Sequence, residues 1–202
     1  MITGVAIEIR SGGRNQDRAS YFSSHDLAVL VLADGAGGVG DGAKAADGIV
    51  AEAEALFHGG HNSPVASLER ADVVLAREGL LSTGVIVEVR DGRLLGASVG
   101  DSVAWLISGK QLKELTSSQR RKPLVGDGAY PVAFAASDLH GRLLLASDGL
   151  VNYASRDAII SAANGRDLQI SAKRLAELSR LASGDYPDDV SVVLAELEFS
   201  DF

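Results

Sequence analysis

Aspartates stand beside apolar segments at five places in this chain. Asp34 follows VLVLA, Asp101 follows GASVG, Asp148 follows LLLAS, and Asp188 and Asp189 precede VSVVL, while Asp17 lies in RNQDR before the apolar run that Asp34 follows. Carboxylates that meet at the rim of a hydrophobic sheet repel one another unless a cation binds between them. Because hard oxygen donors without cysteine suit Mg²⁺ or Mn²⁺ rather than zinc, the pattern predicts a site for one of those ions.

Ordinary turns and nucleotide binding are the two alternatives to a metal site. Asp-Gly pairs are common turn sequences, and Asp91-Gly92 between two apolar segments predicts a hairpin. Gly35, Gly37 and Gly40 also match the GxGxxG fingerprint of dinucleotide-binding proteins. The charge of Asp34 would then face the pyrophosphate, and the later strands do not alternate with helices, so the metal site is the preferred interpretation.

The elements that must position these acids follow from hydrophobic periodicity. Strands are expected where apolar residues alternate or form short runs, at 5–9, 27–33, 84–90, 93–100, 103–108, 142–146 and 190–197, with a weaker one at 111–115. Helices are expected where apolar residues recur at helical spacing, at 42–57, 64–78, 154–163 and 167–182. The polar stretch 116–131 is expected to be a loop. Because strands and helices are segregated, we predict an α+β fold with antiparallel sheets.

Composition places the chain among globular proteins and excludes several functions. Of its 202 residues, 46% are hydrophobic and 23% are charged, which is typical of a folded domain. No linker or repeat is evident, so residues 1–202 are interpreted as a single domain. The net charge of −8 disfavours non-specific nucleic-acid binding, which needs a basic surface. The absence of cysteine excludes disulfides, thiolate metal sites and cysteine nucleophiles.

Six short motifs follow one another along the chain: Asn15-Gln16-Asp17, LADGAGG at 32–38, Ser82-Thr83-Gly84, Gly100-Asp101-Ser102, LLASDGL at 144–150 and DDVSVV at 188–193. In this order they resemble the type 2C (PPM) family of metal-dependent serine/threonine protein phosphatases, in its short bacterial form. The resemblance covers residues 1–197. It implies two packed antiparallel β-sheets flanked by helix pairs, an α-β-β-α sandwich, with the family's flap subdomain reduced or absent.

The resemblance also implies an activity, cofactors and site residues. The activity is hydrolysis of phosphoserine and phosphothreonine by attack of a hydroxide that bridges two Mn²⁺ or Mg²⁺ ions. Asp34 would bridge both ions, and Asp17 would orient the metal-bound water. The remaining implied ligands are Asp148 and Asp188 for the first ion, the Gly35 carbonyl for the second, and Asp101 with Asp148 for a weak third ion.

The chain departs from the family pattern where the phosphate should bind. The arginine that usually precedes the Asn-Gln-Asp motif is replaced, at the commonest spacing, by Gly12. Arg14 is therefore predicted to bind the substrate phosphate, with Arg10 as the alternative. Asn152 stands where many members carry an acid, which predicts a weak third metal site. The basic cluster at 120–122 (RRK) is either a solvated loop or a substrate-docking patch.

Taken together, the sequence favours a cytoplasmic, monomeric signalling phosphatase. Its expected partners are a phosphoprotein substrate and a cognate serine/threonine kinase, with no nucleic acid and no membrane. Two alternatives stay open. A noncatalytic PPM-like binding or regulatory module would explain the displaced arginine and reduced flap, although such a module does not need the metal aspartates. A phosphatase for a small phosphorylated molecule would explain an open site.

Overall fold

The computed structural model describes residues 1–37, 41–60, 62–137 and 139–198. In chain order the strands are β1 (Ile2–Arg10), β2 (Asp17–Ser23), β3 (Leu27–Asp34), β4 (Gly84–Arg90), β5 (Arg93–Val99), β6 (Val103–Ser108), β7 (Gln111–Glu114), β8 (Val132–Ala136), β9 (Gly141–Ala146) and β10 (Val190–Leu197). The helices are α1 (Gly42–Phe57), α2 (Pro64–Glu78), α3 (Asp148–Val151), α4 (Arg156–Ala163) and α5 (Leu168–Glu177).

The strands form two five-stranded sheets in which every neighbouring pair is antiparallel. The first sheet has the order β1-β10-β9-β6-β7 and the second has the order β2-β3-β4-β5-β8. Leu32 of the second sheet and Leu145 of the first belong to one buried cluster between the sheets. Ile49 of α1 packs on the outer face of the second sheet, and Leu175 of α5 packs on that of the first. The α-β-β-α sandwich expected from the sequence is confirmed.

Helices α1 and α2 have the predicted bounds because their ends carry strong signals. The Asp41 side chain accepts a hydrogen bond from the Lys44 N–H at 3.1 Å, which satisfies an unpaired donor at the start of α1. Ser63 caps α2 in the same way, Pro64 occupies its first turn, and Gly79 ends it with a φ of 66°. None of the helices in the described ranges is long and apolar enough to cross a membrane.

The structure differs from the sequence prediction at the edge strands of the second sheet, at the short helix α3 and at the end of α5. Strands β2 and β8 were not predicted; each forms one edge of the second sheet, where few positions are fully buried and apolar periodicity is weak. The four-residue helix α3 is too short to show a period. Helix α5 ends at Glu177 rather than at 182, and Leu181 is exposed. The stretch 116–131 is a loop, as predicted, and Val125 forms an isolated bridge with Ser82.

Candidate active site

The aspartates selected from the sequence gather at one rim of the sandwich. Asp34 at the end of β3, Asp101 after β5, Asp148 after β9 and Asp188 before β10 line one cleft of about 530 Å³. Even-numbered positions of β3, such as Leu32, face the other sheet, and side chains alternate along a strand. Asp34 therefore points between the sheets.

Asp17 lies beneath this cleft rather than on its surface. It is the first residue of β2 and stands opposite Asp34 in the β2–β3 register. Its side chain is buried, with 1% of the residue exposed, and neither carboxylate oxygen has a hydrogen-bond partner. A buried acid without donors is costly, so this position calls for a proton or a cation nearby.

The Ser82-Thr83-Gly84 motif holds the backbone of Asp34. The Asp34 carbonyl accepts hydrogen bonds from the Thr83 N–H at 2.8 Å and the Ser82 hydroxyl at 3.0 Å. The Asp34 N–H donates to the Thr83 hydroxyl at 3.1 Å, and that hydroxyl lies 2.7 Å from the Ser102 hydroxyl. These residues therefore fix the end of β3 and connect it to the segment that carries Asp101, a role that the sequence did not predict.

Asp189 holds the loop that precedes Asp17. One of its carboxylate oxygens accepts from the Gly12 N–H at 2.7 Å and the Ser11 hydroxyl at 3.1 Å, and the other accepts from the Gln16 N–H at 2.6 Å. Burial alone would raise the pKa of Asp189, but these donors outweigh it and the pKa is lowered. The adjacent acid in the Asp188-Asp189 pair was the available sequence signal for this missed role.

Close backbone packing leaves no room for a side chain at position 12. A Cβ atom at Gly12 would lie 2.3 Å from the carbonyl carbon of Asp188. Gly35 is equally confined, because a Cβ atom there would lie 2.0 Å from the carbonyl oxygen of Gly42 at the start of α1. The loop before β2 and the loop after β3 are thus pressed against the segments beside them.

Burial and mutual repulsion dominate the electrostatics of the acids. Burial raises the pKa of Asp34 to about 9, and the charges of Asp17 and Asp148 add to the effect. Burial raises the pKa of Asp17 to about 6, although the nearby hydroxyls of Ser191 and Ser147 oppose the shift. Burial, followed by the charge of Asp101, also raises the pKa of Asp148. A cation in the cleft would relieve all three effects.

The donor set fits a hard divalent cation in chemistry. The converging groups are carboxylates, which suit Mg²⁺ and Mn²⁺, and the unpartnered oxygens of Asp17 lie beneath them. In the described part of the chain, no three histidine, aspartate or glutamate side chains already stand where they could hold an ion together. The structure thus brings the predicted ligands to one cleft without forming a complete coordination shell, and their assignment stays a prediction.

Basic side chains also line the cleft. Arg14, Arg121 and Lys122 line it. Arg10, the alternative phosphate ligand, instead makes a 2.6 Å salt bridge with Glu8. The placement therefore favours Arg14 over Arg10.

The cluster at 120–122 has a contact that the sequence did not predict. Arg121 donates through Nε and Nη2 to one carboxylate oxygen of Asp101, at 3.0 and 2.8 Å. The expected third-metal residue is therefore already paired with an arginine.

The dinucleotide-binding alternative does not agree with the topology. Strand β3 is followed by α1, but its neighbours β2 and β4 are both antiparallel to it. A Rossmann unit needs parallel strands joined by the helix. Gly35 and Gly37 line the cleft, and Gly40, the third glycine of that pattern, lies outside the described residues.

Comparison with known proteins identifies the fold. No protein-family model matches the chain, and no curated protein matches it. Among solved structures, the serine/threonine phosphatase PstP/Ppp of Mycobacterium tuberculosis has a TM-score of 0.80 at 26% identity, covering 98% of this chain and 100% of that one. The catalytic domain of PstP in complex with two manganese ions gives 0.81 at 24%, covering 98% and 99%. Stp1 of Staphylococcus aureus gives 0.83 at 22%, covering 98% and 96%.

The fold and the rim of acids therefore define a class. The chain has the fold of the bacterial PPM-type serine/threonine phosphatases over nearly its whole length. The resemblance drawn from the six motifs is confirmed at this level.

Proposed function

We propose that this protein is a metal-dependent phosphatase that hydrolyses phosphoserine and phosphothreonine in proteins, with Mn²⁺ or Mg²⁺ as cofactor. The observation that carries the proposal is the convergence of Asp34, Asp148 and Asp188 on one cleft in a PPM fold. The proposal includes a phosphoprotein substrate, a cognate serine/threonine kinase, a monomeric state and a cytoplasmic location.

The cofactor ions have assigned ligands in this proposal. Asp34, Asp148, Asp188 and the carbonyl of Gly35 would hold two ions. When bound, two such ions lower the pKa of water and offset the charge of a phosphate. The protein with its net charge of −8 then presents a locally positive site to an anionic substrate.

Asp17 and Arg14 would act on a proton and on the substrate phosphate, and Asp189 would hold the loop that carries Arg14. Asp17, whose pKa burial raises to about 6, lies where a carboxyl group can hold or accept a proton at neutral pH. Arg14, which lines the cleft, supplies a planar guanidinium that can donate to two phosphate oxygens. Asp189 keeps the loop that carries Arg14 in place by accepting hydrogen bonds from the Gly12 and Gln16 N–H groups.

Hydrolysis of p-nitrophenyl phosphate by metal-stripped protein, as Mn²⁺ is added back, tests the proposal. Turnover should require Mn²⁺ and fall by about 100-fold or more in Asp148→Asn, since that change removes a charged ligand. Asp157→Asn makes the same chemical change at an exposed residue in the first turn of α4 and should keep full turnover. Full activity in Asp148→Asn would refute the assignment.

The substrate class is tested next, with the same protein. A phosphoserine or phosphothreonine peptide should be cleaved with a higher kcat/KM than phosphorylated metabolites. Preference for a metabolite would favour the small-molecule phosphatase. Folded protein that binds phosphopeptide but shows no turnover with any Mn²⁺ or Mg²⁺ concentration would favour the noncatalytic module.

A further inference from the structure

The corner of the cleft formed by Asp101 and Asp148 is occupied by donors from the chain itself. Arg121 donates through Nε and Nη2 to the Asp101 carboxylate at 3.0 and 2.8 Å. The Asn152 amide donates to the Asp148 carboxylate at 3.0 Å. The guanidinium and the amide therefore each satisfy one carboxylate oxygen of the two acids that the third ion would need.

The fold places Arg121 at this corner through its neighbours on both sides. The Arg120 carbonyl accepts a hydrogen bond from the Gly100 N–H at 3.2 Å. The Gln119 side chain donates to the Ser102 carbonyl at 2.9 Å. The two residues before Arg121 are thus bonded to the two residues that flank Asp101, so the ion pair follows from the backbone arrangement.

The far end of the same loop is also tied to the body of the protein. One carboxylate oxygen of Asp72 in α2 accepts from the Gly126 N–H at 2.7 Å and the Ala129 N–H at 3.0 Å. Val125 exchanges backbone hydrogen bonds with Ser82 at 3.0 and 3.1 Å. Arg121 therefore extends from a segment anchored before and after it.

We propose that Arg121 is a built-in competitor of the third metal ion: its guanidinium occupies Asp101, and a cation enters between Asp101 and Asp148 only when Arg121 leaves. The inference rests on the proposed function, because a third ion has a role only beside the first two. It makes the charge of Arg121 a substitute for that ion in the resting protein.

Exposure makes this competition reversible. The Arg121 side chain is 75% exposed and the Asp101 side chain is 26% exposed, and exposed ion pairs are weakly held and screened by salt. The charge of Arg121 also interacts with Asp148, so removing it strengthens the attraction of both acids for a dication. Arg121→Gln should therefore raise the affinity of the third Mn²⁺ by about 10-fold.

Mn²⁺ binding by isothermal titration calorimetry, with bound metal counted after equilibrium dialysis, tests the inference. Wild type, Arg121→Gln, Arg120→Gln and the double variant Arg121→Gln/Asp101→Asn are compared. Arg121→Gln should gain a tighter third site, and the double variant should lose it. Arg120→Gln removes a neighbouring positive charge that does not line the cleft and should match wild type.

The outcomes separate this inference from the proposed function. If wild type binds two ions and Arg121→Gln binds a third Mn²⁺ no more tightly than wild type does, Arg121 does not compete with that ion. The same conclusion follows if Arg120→Gln raises the third affinity equally, because general charge would then explain the effect. If folded wild type binds no ion, the proposed function fails first and the inference falls with it.

Discussion

Asp17 and Asp34 face each other across the β2–β3 pair, so two buried carboxyl groups share the rim of one sheet. Burial raises the pKa of Asp17 to about 6, and burial together with the charge of Asp17 raises that of Asp34 to about 9. At neutral pH the pair does not carry two negative charges unless a cation is close. The pair therefore destabilises the metal-free protein, and it lies at the centre of the proposed metal site.

In the metal-free protein, the free energy of unfolding should fall as the pH rises from about 4 towards about 9. In this window the folded protein keeps the proton of Asp17 up to about pH 6 and that of Asp34 up to about pH 9, whereas the unfolded chain, with carboxyl pKa values near 3.9, has lost both. The folded state therefore binds more protons, and a higher pH favours unfolding. Urea titrations in EDTA at about pH 5, 7 and 9 measure the slope.

Two variants assign that slope to the pair. Asp34→Asn cannot ionise, so it should flatten the pH dependence and stabilise the metal-free protein at about pH 8 by on the order of 2 kcal/mol. Asp157→Asn, at an exposed residue in the first turn of α4, should leave the slope unchanged. A slope that is the same in Asp34→Asn as in wild type would show that other groups cause it.

Much of the fold was predictable because its central elements carry complete local signals. The run at 27–33 is apolar throughout since β3 is covered on both faces, and its residues are buried from Ala28 to Ala33. Helices α1 and α2 have caps that mark their ends. Edge strand β2 lacks such a signal, because its register depends on pairing with β3 and not on its own sequence.

The acidic residues of the candidate site were predictable from the sequence, but the residues that hold them in place were not. A charged residue after an apolar strand is visible in one sequence, so Asp34 and Asp148 could be selected. The bond between Arg121 and Asp101 spans 20 positions and depends on how the 116–131 loop folds back. The hydrogen bond from the Gly12 N–H to Asp189 joins residues 177 positions apart, so no local sequence pattern reveals it.

Thr83→Val should weaken both the fold and the activity. The change leaves the Asp34 N–H without its 3.1 Å acceptor and the Ser102 hydroxyl without its 2.7 Å partner. We expect a loss of about 1–3 kcal/mol in the free energy of unfolding and a fall in kcat of about 10-fold as Asp34 shifts. Thr83→Ser keeps the hydroxyl and should recover most of kcat. If Thr83→Ser is as impaired as Thr83→Val, packing of the methyl group matters and the hydroxyl does not.

Arg14→Ala should raise KM for a phosphorylated substrate more than it lowers kcat. Arg14 lines the cleft, and a hydrogen bond from a charged donor to phosphate is worth about 1.5–3 kcal/mol, or roughly 10- to 100-fold in binding. Arg10→Ala removes the same type of side chain but one paired with Glu8, so it should leave KM unchanged. Steady-state kinetics with a phosphopeptide measure both variants. The reverse result would assign the phosphate to Arg10.

Placing an arginine at position 12, where the family resemblance expects one, should harm this protein rather than improve it. In Gly12→Arg the new Cβ atom would lie 2.3 Å from the Asp188 carbonyl carbon, so the loop must move and the Gly12 N–H would lose its 2.7 Å bond to Asp189. We expect a loss of about 2 kcal/mol in the free energy of unfolding and lower activity. Gly12→Ala adds the same Cβ atom without the charge and should be destabilised by a similar amount, as measured by urea unfolding. A Gly12→Arg protein with wild-type stability and a lower KM would instead show that the loop accepts the arginine and that Arg14 is only its substitute.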